Sequence, residues 1–186
     1  MKRLFDLLLA LMALPVLALP LLITAVLVRL TSHGPVLYWS DRVGRHNRIF
    51  SMPKFRSMQI DTPAVATHLL QDPDRYLTPI GGFLRRSSLD EIPQLWSIFT
   101  GDMSFVGPRP ALFNQDDLIE QRTAAGVHEL VPGVTGWAQI NGRDELPIPA
   151  KVALDMEYLR RRSFWFDCHI LLRTVIKVLR RDNVSH

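Results

Sequence analysis

The chain opens on an apolar run, residues 4–30, and the stretch 7–28 within it carries no charged residue. As a straight helix that stretch would be about 33 Å long, enough for a bilayer core of about 30 Å. Beyond it the pattern shortens. Residues 36–39 and 48–55 carry enough β-branched and aromatic residues for two short strands around the turn Gly44-Arg45-His46-Asn47. Residues 59–79 are polar and broken by prolines, which predicts a loop. Residues 80–86 read as a helix end, 93–99 as a short helix stopped by Gly101, and 112–125 as a helix stopped by Gly126. Residues 131–143 are turn-rich, and 151–161 and 164–181 complete the helices. In the last of these, Phe164, Trp165, Phe166, Ile170, Leu171, Leu172, Val175, Ile176, Val178 and Leu179 alternate with Arg173, Lys177, Arg180 and Arg181. Such a basic, aromatic amphipath suits an interface with anionic lipid, or equally a core-facing helix with a solvated basic side. The expected fold is α+β, mostly helical with a small β-hairpin. It divides into an anchor over residues 1–30 and a catalytic domain over residues 31–186.

The apolar run admits three readings. A secretory signal would need a small-x-small cleavage site, and none follows the Met1-Lys2-Arg3 start. A straight transmembrane helix is the plainest reading. A hairpin that enters and leaves on one side is the third, and two features favour it. Pro15 and Pro20 interrupt the helical pattern. Basic residues flank both ends: Lys2 and Arg3 before, Arg29, Arg42, Arg45, Arg48, Lys54 and Arg56 after. Cations next to a membrane segment favour the cytoplasmic side, so both ends ask for the same side.

Composition narrows the partners. At 186 residues, net charge +4 and pI near 9.6, the chain fits anionic lipid, a phosphorylated ligand or nucleic acid. The lone Cys168 excludes a disulfide framework, and the six histidines show no metal-ligand spacing.

The chemistry concentrates at Arg85-Arg86-Ser87-Ser88-Leu89-Asp90-Glu91-Ile92-Pro93-Gln94. Ser88 to Glu91 matches a helix capping box. Pro93 points elsewhere: it disfavours helix at Ile92 and is favoured at a first helical position. The helix is then expected to start near Pro93, with Asp90 and Glu91 just outside its N-terminus. There the helix dipole would keep Asp90 ionised, fit for a nucleophile or a metal ligand. Arg85 and Arg86 could grip phosphate oxygens. Pro108-Arg109-Pro110 frames one arginine rigidly. Lys54 and Arg56 are two cations on one strand face. Asp72-Pro73-Asp74 mimics the Asp-x-Asp metal motif of nucleotide-sugar glycosyltransferases, but a match this short inside a proline-rich loop is weak.

Taken together, several stretches resemble bacterial sugar transferases, specifically the small monotopic phosphoglycosyl transferases that act on polyprenol phosphate. They are Lys2-Arg3-Leu4-Phe5-Asp6, Gly34-Pro35-Val36, Arg42-Val43-Gly44, Lys54-Phe55-Arg56-Ser57-Met58, Ser88-Leu89-Asp90-Glu91-Ile92-Pro93-Gln94-Leu95, residues 101–110, Pro132-Gly133-Val134-Thr135-Gly136 and Ala138-Gln139-Ile140-Asn141-Gly142-Arg143. They run in order over nearly the whole chain.

The resemblance implies transfer of a phosphosugar from a UDP-sugar to undecaprenyl phosphate, with release of UMP, through a covalent aspartyl intermediate and with Mg²⁺ on the diphosphate. On this chain it makes Asp90 the nucleophile and a Mg²⁺ ligand, and Glu91 its helper. Arg85 and Arg109 become phosphate-holding residues. Lys54 and Arg56 serve the same anionic pocket, and Gln139 and Arg143 lie near the nucleotide and sugar. It also implies a re-entrant anchor broken at Pro20, both termini at the cytoplasmic face of the bacterial inner membrane, anionic lipid as a partner, no nucleic acid, and room for a homo-oligomer. The small size fits enzymes that start glycoconjugates with N-acetylated or diacetamido sugars. Leu19 and Ser40 depart from the family pattern, which often has Ser and Gln there. The competing readings are a glycosyltransferase that releases UDP through Asp72 and Asp74, and a basic membrane scaffold.

Overall fold

The computed structural model describes residues 1–63, 72–142 and 146–180, so Arg143 lies outside the described residues. Helix α1 (Lys2–Thr31) is one continuous element with Pro15 and Pro20 inside it. Each proline removes the hydrogen bond to the carbonyl four residues back, Leu11 and Val16. Helix α1 is nonetheless not divided into two at Pro20. It is the one helix among the described residues long and apolar enough to cross a membrane.

One side of α1 is buried through Asp6, Ala10, Thr24 and Val28, while Leu4, Leu8, Leu11, Val16, Leu19, Leu22, Val26 and Leu30 stand exposed. Both ends rest on the remainder of the protein. At the start, Lys2 Nζ meets Asp167 Oδ2 at 2.6 Å, Arg3 donates to the carbonyls of Ile98 and Phe99, and the Phe105 amide donates to Asp6 Oδ1 at 3.2 Å. At the finish, Val28 packs with Phe55 and Leu84.

Strands β1 (Leu37–Val43) and β2 (Ile49–Phe55) form the expected hairpin, with Leu37 opposite Phe55 and Val43 opposite Ile49. The turn needs left-handed backbone at His46 and Asn47. Alternate residues share a face, and directly opposed residues share it too. Tyr38, Ser40 and Arg42 therefore lie on one face with Phe50, Met52 and Lys54. Ser40 and Met52, opposite each other, are buried at the centre of it. This face covers the turn that carries the acid pair.

Helix α2 (Gly81–Ser87) ends where Ser88 adopts φ 56°. A 3₁₀ turn, Leu89–Gln94, follows and runs into α3 (Leu95–Thr100). Two sequence expectations are corrected here. The helical segment begins at Leu89 rather than Pro93, because the tighter 3₁₀ winding accommodates a proline at its fifth position. Ser88 is also not a capping-box residue: its side chain makes no cap bond, and its backbone carbonyl takes the Glu91 amide instead, at 3.1 Å.

A second pairing lay hidden in the sequence. Strand β3 (Ser104–Val106) runs parallel to β4 (Gly133–Thr135). The two backbones approach so closely that a Cβ on Gly133 would fall 2.1 Å from the Gly107 nitrogen, so only glycine fits. Helices α4 (Asp116–Ala124), α5 (Trp137–Ile140), α6 (Ile148–Arg161) and α7 (Phe164–Arg180) complete the fold. A main core of Val106, Val127, Leu130, Ile140, Tyr158, Phe166 and Ile170 joins β3 to α5, α6 and α7. A second, of Ala10, Met52, Leu95, Ile98 and Met103, joins α1, β2 and α3. Large-to-small changes at fully buried sites such as Ile98 cost about 2–5 kcal/mol.

Candidate active site

Three elements meet at the acid pair. The hairpin face brings Lys54, the 3₁₀ turn brings Asp90 and Glu91, and the loop after β3 brings Arg109. Glu91 is the hub. Its Oε1 accepts from Lys54 Nζ at 3.0 Å and from Arg109 NH2 at 3.1 Å. Burial would raise the Glu91 carboxyl, yet Lys54 and Arg109 together hold it well below the usual carboxylate range. Burial likewise draws Lys54 below its usual value. Glu91 opposes this, and the charges of Arg109 and Arg42 reinforce it.

Asp90 behaves in the opposite way. It is 7 % exposed, and burial pushes its carboxyl up to about 6, against the pull of Lys54, with the neighbouring Glu91 charge adding to the rise. Arg85 and Arg109 moderate the shift. Burial thus works against the ionised Asp90 expected from the sequence, raising its carboxyl while leaving it below neutral pH. Two adjacent carboxylates are thus split into a permanently charged organiser, Glu91, and a carboxyl of tunable charge, Asp90.

The Arg109 loop is braced on every side. The Val43 amide donates to Ala111 O, Gly133 N to Pro108 O and Gly107 N to Thr135 O, each at 2.9 Å. Arg122 on α4 donates through NH1 to Arg109 O at 2.7 Å, and through Nε and NH2 to Asp155 Oδ2 on α6 at 2.9 and 2.7 Å. Sequence reading missed this Arg122–Asp155 clamp. A lone arginine in an otherwise acidic helix was the one available signal.

The other expected site residues separate. Arg85 lies close enough to bear on Asp90 and donates to Met58 Sδ at 3.3 Å. Arg56 leaves the group. Strand β2 ends at Phe55, and the Arg56 guanidinium turns to Ser32 at the end of α1, donating to its carbonyl at 3.2 Å and to its Oγ at 2.8 Å. The strand-face pairing of Lys54 with Arg56 is corrected on that ground. Gln139 on α5 donates to Val134 O at 3.1 Å, which places it beside β4 and not at the acid pair. Ser40 is 2 % exposed and accepts from Arg42 Nε at 3.0 Å.

For a divalent cation, the described residues offer no group of three or more acids, histidines or cysteines. Asp72 and Asp74 therefore gain no third ligand. Glu91 is engaged by two cations, which leaves Asp90 as the available hard oxygen donor. One carboxylate beside a phosphate-bearing substrate is a donor set that Mg²⁺ uses, so the residues fit it.

A family model described as bacterial sugar transferase matches residues 1–181. An uncharacterized sugar transferase of Bacillus subtilis, EpsL, is 41 % identical over 185 residues, covering the whole of this chain and 90 % of that protein. The UDP-glucose:undecaprenyl-phosphate glucose-1-phosphate transferase of Escherichia coli is 40 % identical over 95 % of this chain and 40 % of its own length. The UDP-N-acetylgalactosamine-undecaprenyl-phosphate N-acetylgalactosaminephosphotransferase of Aeromonas hydrophila is 35 % identical over 96 % of this chain and 43 % of its own length. The chain thus spans most of the first relative and about two fifths of the two named for a reaction. On the family match and these identities, the chain is a member of the bacterial sugar transferase family.

Proposed function

We propose that this protein transfers a phosphosugar from a UDP-sugar to undecaprenyl phosphate and releases UMP. The observation that carries the reading is the split acid pair: Glu91 locked by Lys54 and Arg109, beside a buried Asp90 ringed by cations. The names of the relatives from E. coli and A. hydrophila support it.

In the first half-reaction an Asp90 carboxylate oxygen attacks the β-phosphorus of the donor. The bond from that phosphorus to the bridging oxygen breaks, and UMP leaves with the oxygen. In the second, a phosphate oxygen of the lipid attacks the same phosphorus. The bond from that phosphorus to the Asp90 oxygen then breaks, giving a polyprenyl diphosphosugar and free Asp90. Splitting one transfer into two steps is what a carboxylate nucleophile contributes. Lys54, Arg85 and Arg109 stabilise charge on the transferred group. Glu91 holds Lys54 and Arg109 in place. Asp90, with the diphosphate oxygens, would hold Mg²⁺, which when bound supplies further charge neutralisation. As donor sugar we infer an N-acetylated or diacetamido sugar, supported by the A. hydrophila relative; the E. coli relative, named for glucose, marks the alternative.

The same reading places both ends of α1 on the cytoplasmic face of a bacterial inner membrane, with α1 re-entrant and bent in its proline-weakened middle. The contacts of both its ends with one body support the placing of both ends on one side. On α7, exposed Phe164, Trp165, Leu172, Val175 and Val178 beside Arg173 and Lys177 support contact with anionic lipid.

The test is to trap radiolabelled sugar phosphate on the protein from a UDP-sugar labelled in the β-phosphate. Wild type should carry the label, Asp90→Asn should not, and the nucleotide product should be UMP. Release of UDP, or turnover by Asp90→Asn, would overturn the reading.

A further inference from the structure

The first turn of α1 makes contacts that holding an apolar helix in place does not require. Arg3 donates through NH1 to the Ile98 carbonyl, and through NH2 to the Phe99 carbonyl at 2.8 Å. Both carbonyls belong to the last turn of α3. The last carbonyls of a helix lack partners further along it, and a cation is favourable there. The Arg3 guanidinium lies over Gly101, whose φ of 96° ends α3. One turn further along α1, Asp6 is 3 % exposed, and its Oδ1 accepts the Phe105 amide of β3 at 3.2 Å. Between these two contacts the chain reverses. The Gly101 amide donates to the carbonyls of Ser97 and Ile98, each at 3.2 Å, and the Met103 amide to Ser97 O at 2.9 Å. Met103 is buried with Ala10 of α1 and with Leu95 and Ile98 of α3. Helix α1 therefore sits at the corner where α3 turns into β3, with one side chain bonded to each arm.

The two arms carry the chemistry. Upstream of the corner, α3 runs back directly into the 3₁₀ turn that holds Asp90 and Glu91. Downstream, β3 ends at Val106 and the chain leads on to Arg109. The arms close on each other where Arg109 NH2 meets Glu91 Oε1 at 3.1 Å. A change of angle at the corner reaches the far ends as a displacement, so the corner sets the spacing between Arg109 and the acid pair. We propose that Arg3 and Asp6 are positioning residues for the transfer reaction: they fix α3 against β3 and so hold Arg109 within reach of Asp90 and Glu91. The proposal rests on the transferase reading above. Both side chains act on backbone atoms, through a donor fork at Arg3 and an acceptor oxygen at Asp6. The stretch Lys2-Arg3-Leu4-Phe5-Asp6 thereby serves the catalytic turn as well as the apolar helix that it begins.

The experiment uses the full-length protein in lipid nanodiscs, with Asp6→Ala, Asp6→Asn and Arg3→Met beside wild type. Asp6→Asn keeps an acceptor oxygen for the Phe105 amide, and Asp6→Ala removes it. Arg3→Met keeps an unbranched side chain and removes both donors. One measurement is the single-turnover rate of labelled sugar-phosphate transfer onto the protein at saturating UDP-sugar. The other is amide hydrogen exchange in the donor-free protein over residues 89–94 and 107–112, with α6 as the reference. In Asp6→Ala and Arg3→Met the rate should fall about tenfold to a hundredfold, because a misplacement of about 1 Å costs up to about a hundredfold. Exchange should quicken over 89–94 or 107–112 and stay at the wild-type level over α6. Asp6→Asn should match wild type in both measurements. Wild-type rate and exchange in folded Asp6→Ala and Arg3→Met would overturn the proposal, as would equal losses in Asp6→Asn and Asp6→Ala. Exchange quickened equally over α6 would reduce both contacts to general stability and overturn it too. If Asp6→Ala does not fold, Arg3→Met decides. Absence of label on wild type would remove the transferase reading instead, and the exchange pattern would then decide by itself whether Arg3 and Asp6 fix the two arms.

Discussion

Asp90 sits where burial disfavours its charge. Its carboxyl is raised from 3.8 to about 6 in the folded protein. A group that binds its proton more tightly when folded stabilises the fold at low pH, and that advantage is lost as pH rises from 3.8 through 6. Above 6 the folded state carries an ionised, desolvated Asp90, a penalty of up to about 3 kcal/mol. Asp90→Asn is therefore expected to abolish transfer while raising stability at pH 8. The gain should fade toward pH 4, as chemical denaturation at the two pH values would show. The same shift governs activity. A nucleophile must be ionised, so kcat/KM, which reports the free enzyme, should rise about tenfold per pH unit below 6 and level off above it. A flat profile between pH 5 and 7 would count against Asp90 as the attacking group.

At the scale of elements, the position of Arg109 depends on a strut between two helices. Arg122 on α4 and Asp155 on α6 form a buried ion pair, and the third guanidinium arm of Arg122 carries the backbone of Arg109. Removing one partner of a buried pair strands the other charge and costs about 3–5 kcal/mol. Asp155→Asn is expected to lower stability by that order and to raise KM for the UDP-sugar, because Arg109 loses its brace. Steady-state kinetics at a temperature where the variant stays folded would separate the two effects, and an unchanged KM would reduce the clamp to a purely structural role. The Glu91 hub behaves differently. Glu91→Gln leaves Lys54 and Arg109 facing each other without a counter-charge, so kcat should fall about a hundredfold or more with the fold retained. Single-turnover formation of the aspartyl adduct would measure this.

Across the whole molecule, the apolar helix α1 is tied to the rest of the protein at both ends, through Lys2 with Asp167 and through Val28 with Phe55 and Leu84. Both ends are therefore expected on one side of the bilayer. In a Cys168→Ser background, Lys2→Cys and His33→Cys should both resist a membrane-impermeant maleimide applied to intact spheroplasts. Both should label after permeabilisation. Labelling of only one from outside would show a straight span. The arrangement also brings the exposed apolar side of α1 next to the aromatic start of α7, where Phe5 meets Phe164 edge-on at 5.1 Å. One exposed apolar surface thus draws on both α1 and α7.

Much of this was legible in the residues. The apolar run, the hairpin and the amphipathic last helix are local patterns, written in the spacing of apolar side chains. The Asp90-Glu91 pair and the Pro108-Arg109-Pro110 frame are local as well, and the ordered motifs were sufficient to indicate the family. What no local pattern could decide was where non-adjacent side chains meet. Arg56 looked like a partner of Lys54 by alternation, but the strand stops at Phe55 and the side chain turns to Ser32. Strands β3 and β4 are too short to show a period and exist through pairing across distant sequence. Which acid stays charged was likewise beyond the sequence, because Asp90 and Glu91 are chemical near-equals side by side. Burial acts on both, and only the folded chain brings Lys54 and Arg109 onto Glu91 and withholds that pairing from Asp90.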